Sequence, residues 1–169
     1  MKLRPLLALI ALFALAACAG TYEPKGEPTF YRDLARPGAQ PDAAAAASMI
    51  SGYRANNGLP AVTLDPILMR MAEQQAEAMA GRNKLSHTVS APFAARLKAS
   101  GYDAKRAAEN IAAGYHTLAE AFSGWRNSPE HKSNMLLPGA TRMGIAAVYT
   151  PKSKYKVFWS MIIAEPDKP

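Results

Sequence analysis

The chain has 169 residues, of which 49% are hydrophobic and 20% are charged. This composition excludes a disordered or repetitive protein and is typical of one globular domain. A domain of this size buries roughly 70% of the surface of its unfolded chain, so the fold needs no disulfide. The single cysteine, Cys18, excludes an intramolecular disulfide and a multi-cysteine metal site.

The first residues have the pattern of an export signal. Two basic residues precede an apolar run over residues 6–17, which is shorter than the roughly 20 residues that span a bilayer. Residues 15–18, Leu-Ala-Ala-Cys, resemble the bacterial lipobox. The resemblance implies a lipoprotein signal peptide over residues 1–17, with a palmitate-type lipid on Cys18. An ordinary signal peptide with a chance cysteine, or an uncleaved anchor, is the alternative.

Charge restricts the partners of the mature chain. Removal of residues 1–17 leaves 18 basic and 13 acidic side chains, a formal charge of +5. Outside the cytoplasm, the acidic partners are phospholipid head groups, lipopolysaccharide or cell-wall polymers. Nucleic acid is not a predicted partner, because basic runs and a basic stripe with interleaved aromatic residues are absent from the sequence. If the host has two membranes, Ala19 after Cys18 resembles lipoproteins that reach the outer membrane and face the periplasm.

Residues 18–41 contain four prolines and three glycines but few aliphatic residues. This composition predicts a tether that has no core of its own. The alternative is that Tyr22, Phe30 and Tyr31 dock on the domain, as terminal segments often do.

Apolar periodicity and capping residues then predict four helices. They run from Asp42 to Asn57, from Asp65 to Arg82, from Pro92 to Ala99, and from Thr117 to Arg126. Asp42 and Asp65 supply N-cap oxygens, and Pro66 occupies a first helical position, where its missing N–H costs nothing. The methionines of the second helix follow the apolar period, so they are predicted to fill the core and not to bind copper.

Three strands are predicted, mostly late in the chain. They are Ile111–Tyr115, Met143–Thr150 and Tyr155–Ala164, and the last two form an antiparallel hairpin. Helices followed by strands predict an α+β fold in which helices cover an antiparallel sheet. The sequence predicts one domain over residues 42–166.

Histidines limit the candidate sites for acid–base or metal chemistry. There are three, His87, His116 and His131, and each lies at the end of a predicted element, as does Glu109. Functional side chains often occupy such positions, where a rigid scaffold leaves them accessible. Their spacing matches no short metal-ligand motif.

Five short motifs occur in order between Asp42 and Ala164. They are Asn57-Gly58-Leu59-Pro60 with Leu64, Asp65 and Leu68; Leu85-Ser86-His87; Glu109-Asn110-Ile111-Ala112; Trp125, Ser128, Pro129 and His131; and Met143-Gly144-Ile145. In residue type and spacing this series resembles the CAP superfamily (SCP/TAPS), which includes the cysteine-rich secretory, antigen 5 and pathogenesis-related 1 proteins.

The resemblance implies a three-layer α-β-α sandwich whose central cleft is lined by two histidines and two acidic residues. The matching positions are His87, His131 and Glu109. In many eukaryotic members the second acid stands three residues after the tryptophan, where this chain has Ser128. Ser128 and Glu130 are therefore placed at the cleft periphery, and Ser128 is predicted to be an N-cap and not a nucleophile.

Two imidazoles and a carboxylate are a ligand set for zinc or another divalent metal. Glu109 is then either a metal ligand or the general base that holds a water molecule. The alternative is that the histidines and Glu109 satisfy one another without a metal. No organic cofactor is predicted.

Three functions remain open. The first, which the incomplete acidic pair favours, is a membrane-tethered extracytoplasmic binding module whose cleft holds a divalent metal, a lipid or an envelope polymer. The second is a zinc-dependent hydrolase, acting on peptides or cell wall, with His87 and His131 as ligands and Glu109 as base. The third is an envelope scaffold that acts through its surface.

Overall fold

The structure is a computed structural model that describes residues 26–167. The predicted signal peptide and Cys18 lie outside these residues. Within them the helices are α1 (Ala43–Ala55), α2 (Pro66–Arg82), α3 (Phe93–Ala99), α4 (Leu118–Asn127) and α5 (Pro129–Met135). The strands are β1 (Thr63–Leu64), β2 (Ala104–Ala113), β3 (Arg142–Tyr149) and β4 (Val157–Pro166). None of the helices in this part of the chain has the length and apolar character to cross a membrane.

The four predicted helices begin where the sequence predicts, and α5 is a fifth helix that the prediction did not include. The carboxylate of Asp42 accepts a hydrogen bond from the amide of Ala45 at 2.9 Å, and that of Asp65 accepts from the first turn of α2. Thr117 and Glu120 form a reciprocal capping box at the start of α4. These caps satisfy amide groups that a helix terminus leaves unpaired, which fixes where α1, α2 and α4 start.

The sheet has the strand order β1-β3-β4-β2. The antiparallel pairing of β3 with β4 confirms the predicted hairpin, and β4 also pairs antiparallel with β2. Two details differ from prediction. β1 pairs parallel with β3, and β2 begins at Ala104, well before the predicted start at Ile111. As the last strand in the order β1-β3-β4-β2, β2 forms one edge of the sheet.

Two layers of helices enclose the sheet and confirm the α-β-α sandwich. Alternate residues of β4, such as Trp159 and Met161, pack with α1, α4 and α5. The intervening residues, such as Ile162, pack with α2 and α3. Trp125, Trp159 and the α2 methionines Met71 and Met79 are all 3% exposed or less, so they are core residues as predicted.

The segment before α1 is part of the domain. Leu34 is only 2% exposed, and its amide donates to the carbonyl of His116 at 2.8 Å. Thr29 donates to the Asp42 carboxylate, and Phe30 packs against the core, whereas Tyr31 is 51% exposed. The expected tether without a core is therefore wrong for residues 29–39, because apolar side chains in this segment find a docking surface. The alternative prediction, that aromatic residues of this segment dock on the domain, is correct for Phe30. Tyr22 lies outside the described residues.

Candidate functional site

Glu109 lies on the edge strand β2 with its side chain only 1% exposed. Its carboxylate accepts a 2.8 Å hydrogen bond from Nδ1 of His87. It also accepts bonds from Nη2 of Arg96, at 2.9 Å to Oε1 and 2.7 Å to Oε2. A buried carboxylate requires such partners, because an unpaired charge in the protein interior is costly.

Arg96 is a site residue that the sequence analysis missed. It lies on the short helix α3, and its side chain is 12% exposed. Its guanidinium also donates to the carbonyl oxygens of His87 and Ala91, at 3.3 and 3.2 Å, and lies 5.4 Å from the ring centre of Phe93. Arg96 therefore ties α3, the His87 loop and β2 together.

His87 follows α2 in a loop, and its side chain is about half exposed, at 49%. The bond from Nδ1 to Glu109 fixes the ring orientation and the tautomer. In the neutral ring this leaves the lone pair on Nε2, the nitrogen that faces away from the carboxylate. A histidine held in this way can accept a hydrogen bond or coordinate a metal through Nε2.

His131 lies on α5 and approaches the site from the other helical layer. Its carbonyl accepts a 3.0 Å bond from Asn110 of β2, and Asn110 in turn accepts a 2.9 Å bond from Asn134. Burial lowers the pKa of the His131 imidazole, the neighbouring His87 lowers it further, and Glu130 opposes both effects. These causes favour a neutral His131 ring. The motif contained Asn110, but its role in holding α5 was not predicted.

A cavity of about 240 Å³ opens beside His131 at the edge strand. Its wall is mainly apolar and comes from β2, α4, the His87 loop and the start of α5; the lining residues are Leu85, Ile111, Ala112, Ala113, Tyr115, Gly124, Trp125, Ser128 and His131. This volume is smaller than that of a typical drug-sized site. The cavity therefore suits one segment of a larger ligand.

The two peripheral residues have different positions. Ser128 lines the cavity and precedes α5 at the N-cap position, but its side chain makes no capping hydrogen bond. The predicted N-cap is thus correct in position only. Glu130 is exposed and acts on His131 through its charge. Among residues 26–167 no hydrogen bond joins Ser128 to His131, so the geometry of an activated serine is not assembled there.

The candidate zinc ligands are His87, His131 and Glu109. Zinc sites in proteins use three or four protein ligands. Across the described range, 26–167, no group of three or more His, Cys, Asp or Glu residues is arranged to hold a metal ion. Glu109 is engaged by Arg96 and His87, so its carboxylate stands behind His87 in the role of an orienting group. This leaves only the ring nitrogens of His87 and His131 as protein ligands. That is one ligand fewer than the three-residue set considered from the sequence.

The α-β-α sandwich and its edge-strand site define a CAP-type domain. A sequence profile described as the cysteine-rich secretory protein family, CAP, matches residues 47–163. The chain belongs to this family, which confirms the resemblance seen in the sequence.

The chain is similar to other bacterial proteins in sequence and in structure. A protein of Bacillus subtilis, "Uncharacterized protein YkwD", is 34% identical over 103 residues, which cover 59% of this chain and 40% of that protein. An extracellular protein of Bacillus anthracis with an SCP domain has a TM-score of 0.62 at 24% identity, covering 72% of this chain and 39% of its own. An outer surface protein of Borrelia burgdorferi has a TM-score of 0.67 at 19% identity, covering 75% of this chain and 93% of its own. The chain thus spans about 40% of the length of the two Bacillus proteins.

Proposed function

We propose that this protein is an extracytoplasmic binding module of the cell envelope, tethered to a membrane through lipidated Cys18. Its cavity beside His131 takes the apolar segment of a lipid or of an envelope polymer. The observation that carries this proposal is the pairing of Glu109 with Arg96 inside the domain.

This pairing argues for binding over hydrolysis. A general base must reach the proton that it abstracts, directly or through one water molecule. The Glu109 side chain is 1% exposed, and both of its oxygens already accept bonds from Arg96. The carboxylate oxygens are therefore occupied by hydrogen bonds within the protein, and a substrate in the cavity has no direct access to them.

The cavity chemistry supports an apolar ligand segment. Leu85, 47% exposed, contributes an apolar rim, while Trp125 and Ile111 form a buried wall. His131 and Ser128 provide polar groups at the edge that orient a hydroxyl, an ester or an amide. Removal of the ligand's apolar surface from water supplies the affinity.

The sequence and the relatives both support the proposed location. The lipobox-like junction at Cys18 supports export and lipid anchoring, and stable anchoring takes more than one acyl chain. The relatives described as extracellular and as an outer surface protein support a domain that faces outward.

A fluorescence titration tests the binding proposal. Trp125 lines the cavity, so a dansyl-labelled fatty acid bound there accepts excitation energy from the indole. We expect saturable transfer in the wild type and its loss in Ser128→Trp, which fills the cavity. Ser133→Trp, on the exposed side of α5, is the matched control and keeps the signal. Equal transfer in both variants would place the ligand elsewhere and contradict the proposal.

The second candidate is a zinc-dependent hydrolase that uses His87 and His131. One observation favours it: the bond from His87 Nδ1 to Glu109 is the arrangement by which a carboxylate orients a metal-binding histidine. Elemental analysis of the wild type beside His87→Ala/His131→Ala tests it, since near-stoichiometric zinc in the wild type alone would support the site. The surface-scaffold alternative predicts that this double variant keeps the cellular phenotype.

A further inference from the structure

We propose that one end of the domain binds directly to an acidic phospholipid surface. This end, here called the hairpin end, is formed by the β3–β4 turn (residues 150–156) together with the C-terminus of α2. The inference goes beyond the proposed function, because it concerns a surface outside the cavity and requires no ligand there.

Basic side chains collect at the hairpin end. The turn itself carries Lys152, Lys154 and Lys156, of which the first two are exposed. Lys84 follows α2 and is also exposed. The two elements are neighbours, since Met79 near the end of α2 packs in one cluster with Phe158 and Tyr155.

Few acidic groups offset these charges. Two acidic residues of α2, Glu73 and Glu77, line a groove with Tyr149 and Pro151, beside the turn. Glu120 is occupied by the capping box of α4, where it accepts bonds from the amides of His116 and Thr117. The turn lysines make no ion pair within 26–167; Lys156 instead donates to the carbonyl of Pro151.

The opposite end of the sheet carries charges of both signs. Arg106 forms an ion pair with Glu165 at 2.7 Å. Arg142 and Asp65 both lie close enough to Tyr102 to shift its pKa in opposite directions. Further charged groups at this end include Arg70, Lys98, Lys105, Asp103 and Asp167. Basic and acidic side chains are therefore mixed here, whereas the β3–β4 turn carries three lysines and no acidic residue.

Part of the segment before α1 also packs at the hairpin end. Leu34 bonds to His116, just after β2 ends, and Pro37 and Gly38 share a groove with Tyr149 and Pro151. The described chain begins at residue 26, eight residues after Cys18. Eight extended residues span at most about 29 Å. This length keeps residue 26 close to the membrane that would hold Cys18.

The lysines of the hairpin end and the proposed anchor at Cys18 together favour a membrane over a soluble polyanion. Acidic lipids attract basic segments close to their surface, with an energy that adds up lysine by lysine. An anchor at Cys18 supplies a high local concentration of the surface. Contact by the hairpin end would also bring the exposed Leu85, next to Lys84, towards the lipid head groups.

Vesicle co-sedimentation tests the inference with the full chain carrying Cys18→Ser, so that no lipid anchor contributes. The readout is the partition coefficient on phosphatidylglycerol-containing vesicles divided by that on pure phosphatidylcholine vesicles. The apolar contribution of residues 1–17 is the same on both vesicles, so it cancels in this ratio. Lys152→Glu/Lys154→Glu is compared with Lys98→Glu/Lys105→Glu, which makes the same charge change on exposed residues of the opposite end. Thermal unfolding checks that both variants are folded.

We expect the hairpin-end variant to lower the ratio on the order of 30-fold, since two lysines leave the surface. The opposite-end variant should lower it by less than about threefold, and high salt should abolish the difference by screening. Ser128→Trp should bind vesicles normally, which separates this result from failure of the cavity proposal. Equal loss in both charge variants, a wild-type ratio near one, or binding to a soluble anionic glycan but not to vesicles would overturn the inference.

Discussion

Nη2 of Arg96 lies 2.9 Å from one oxygen of the Glu109 carboxylate and 2.7 Å from the other. The two residues come from α3 and β2, and Glu109 is almost fully buried. This pair supplies a cation to a buried acidic residue that also accepts a hydrogen bond from His87. It also gives the site a dependence on α3 that the family motifs do not contain.

Removal of Arg96 should destabilise the domain strongly. Arg96→Ala leaves the buried carboxylate without its cation, and such a change costs about 3–5 kcal/mol. Adding Glu109→Gln removes the stranded charge, so the double variant should recover part of the loss. Urea unfolding measures both. Arg106→Ala breaks the exposed pair with Glu165 and should cost less than about 1 kcal/mol; similar losses for Arg96 and Arg106 would show that the Glu109 pair contributes little.

Stability should depend on pH through His131. Burial, with His87, holds the pKa of this imidazole below its usual value of 6.5. As the pH falls through about 6.5, the unfolded chain takes up this proton before the folded chain does. The contribution of His131 is therefore complete above about pH 6.5 and declines towards the folded-state pKa. Denaturant midpoints over this range should show a slope that His131→Gln reduces and His116→Gln leaves in place; an unchanged slope in His131→Gln would refute the assignment.

Gly144 of β3 should not tolerate a side chain. A Cβ at this position would overlap the main chain of Leu68 and Met69 in α2, which cannot move without displacing the helix. We expect Gly144→Ala to cost several kcal/mol, on the order of an overpacked core. Gly81→Ala is the control, because its Cβ meets no atom within 4 Å and alanine favours the helix by roughly 0.5–1 kcal/mol. Calorimetry should separate the two by sign.

Arg54 should be required for the loops that hold α5 and β3. It is fully buried, and its guanidinium donates to four backbone carbonyls, those of Pro60, Met135, Leu137 and Ala140. Arg54→Met leaves these acceptors unpaired, at about 1–3 kcal/mol for each buried group. We expect a loss above about 4 kcal/mol in urea unfolding, with Arg54→Lys intermediate. A loss below about 1 kcal/mol would mean that water replaces the donors.

The sequence predicted the helices well because their signals are local. Asp42, Asp65 and Thr117 cap the helices that they precede, and the apolar period of α2 identifies its buried face. The first half of β2 was missed because residues 104–109 combine alanines with charged side chains, a pattern without strand character. Its strand form comes from pairing with β4, a contact between distant parts of the chain.

The site was predicted only in part. His87, Glu109 and His131 were found because the family motifs contain them, and the structure joins His87 to Glu109. Arg96 carried no such signal, since a basic residue in a short helix next to Lys98 is typical of a solvated surface. Its partner lies 13 residues away on another element, and only the tertiary fold brings the two together.

The central claim is that the protein binds its ligand and does not cleave it. The most direct test is mass spectrometry of lipid esters, peptides and cell-wall fragments after incubation with the protein and zinc, beside Glu109→Gln. The account predicts that every compound is recovered intact, including any that co-purifies with the protein. Cleavage by the wild type that is lost in a folded Glu109→Gln variant would contradict it and establish Glu109 as a catalytic base.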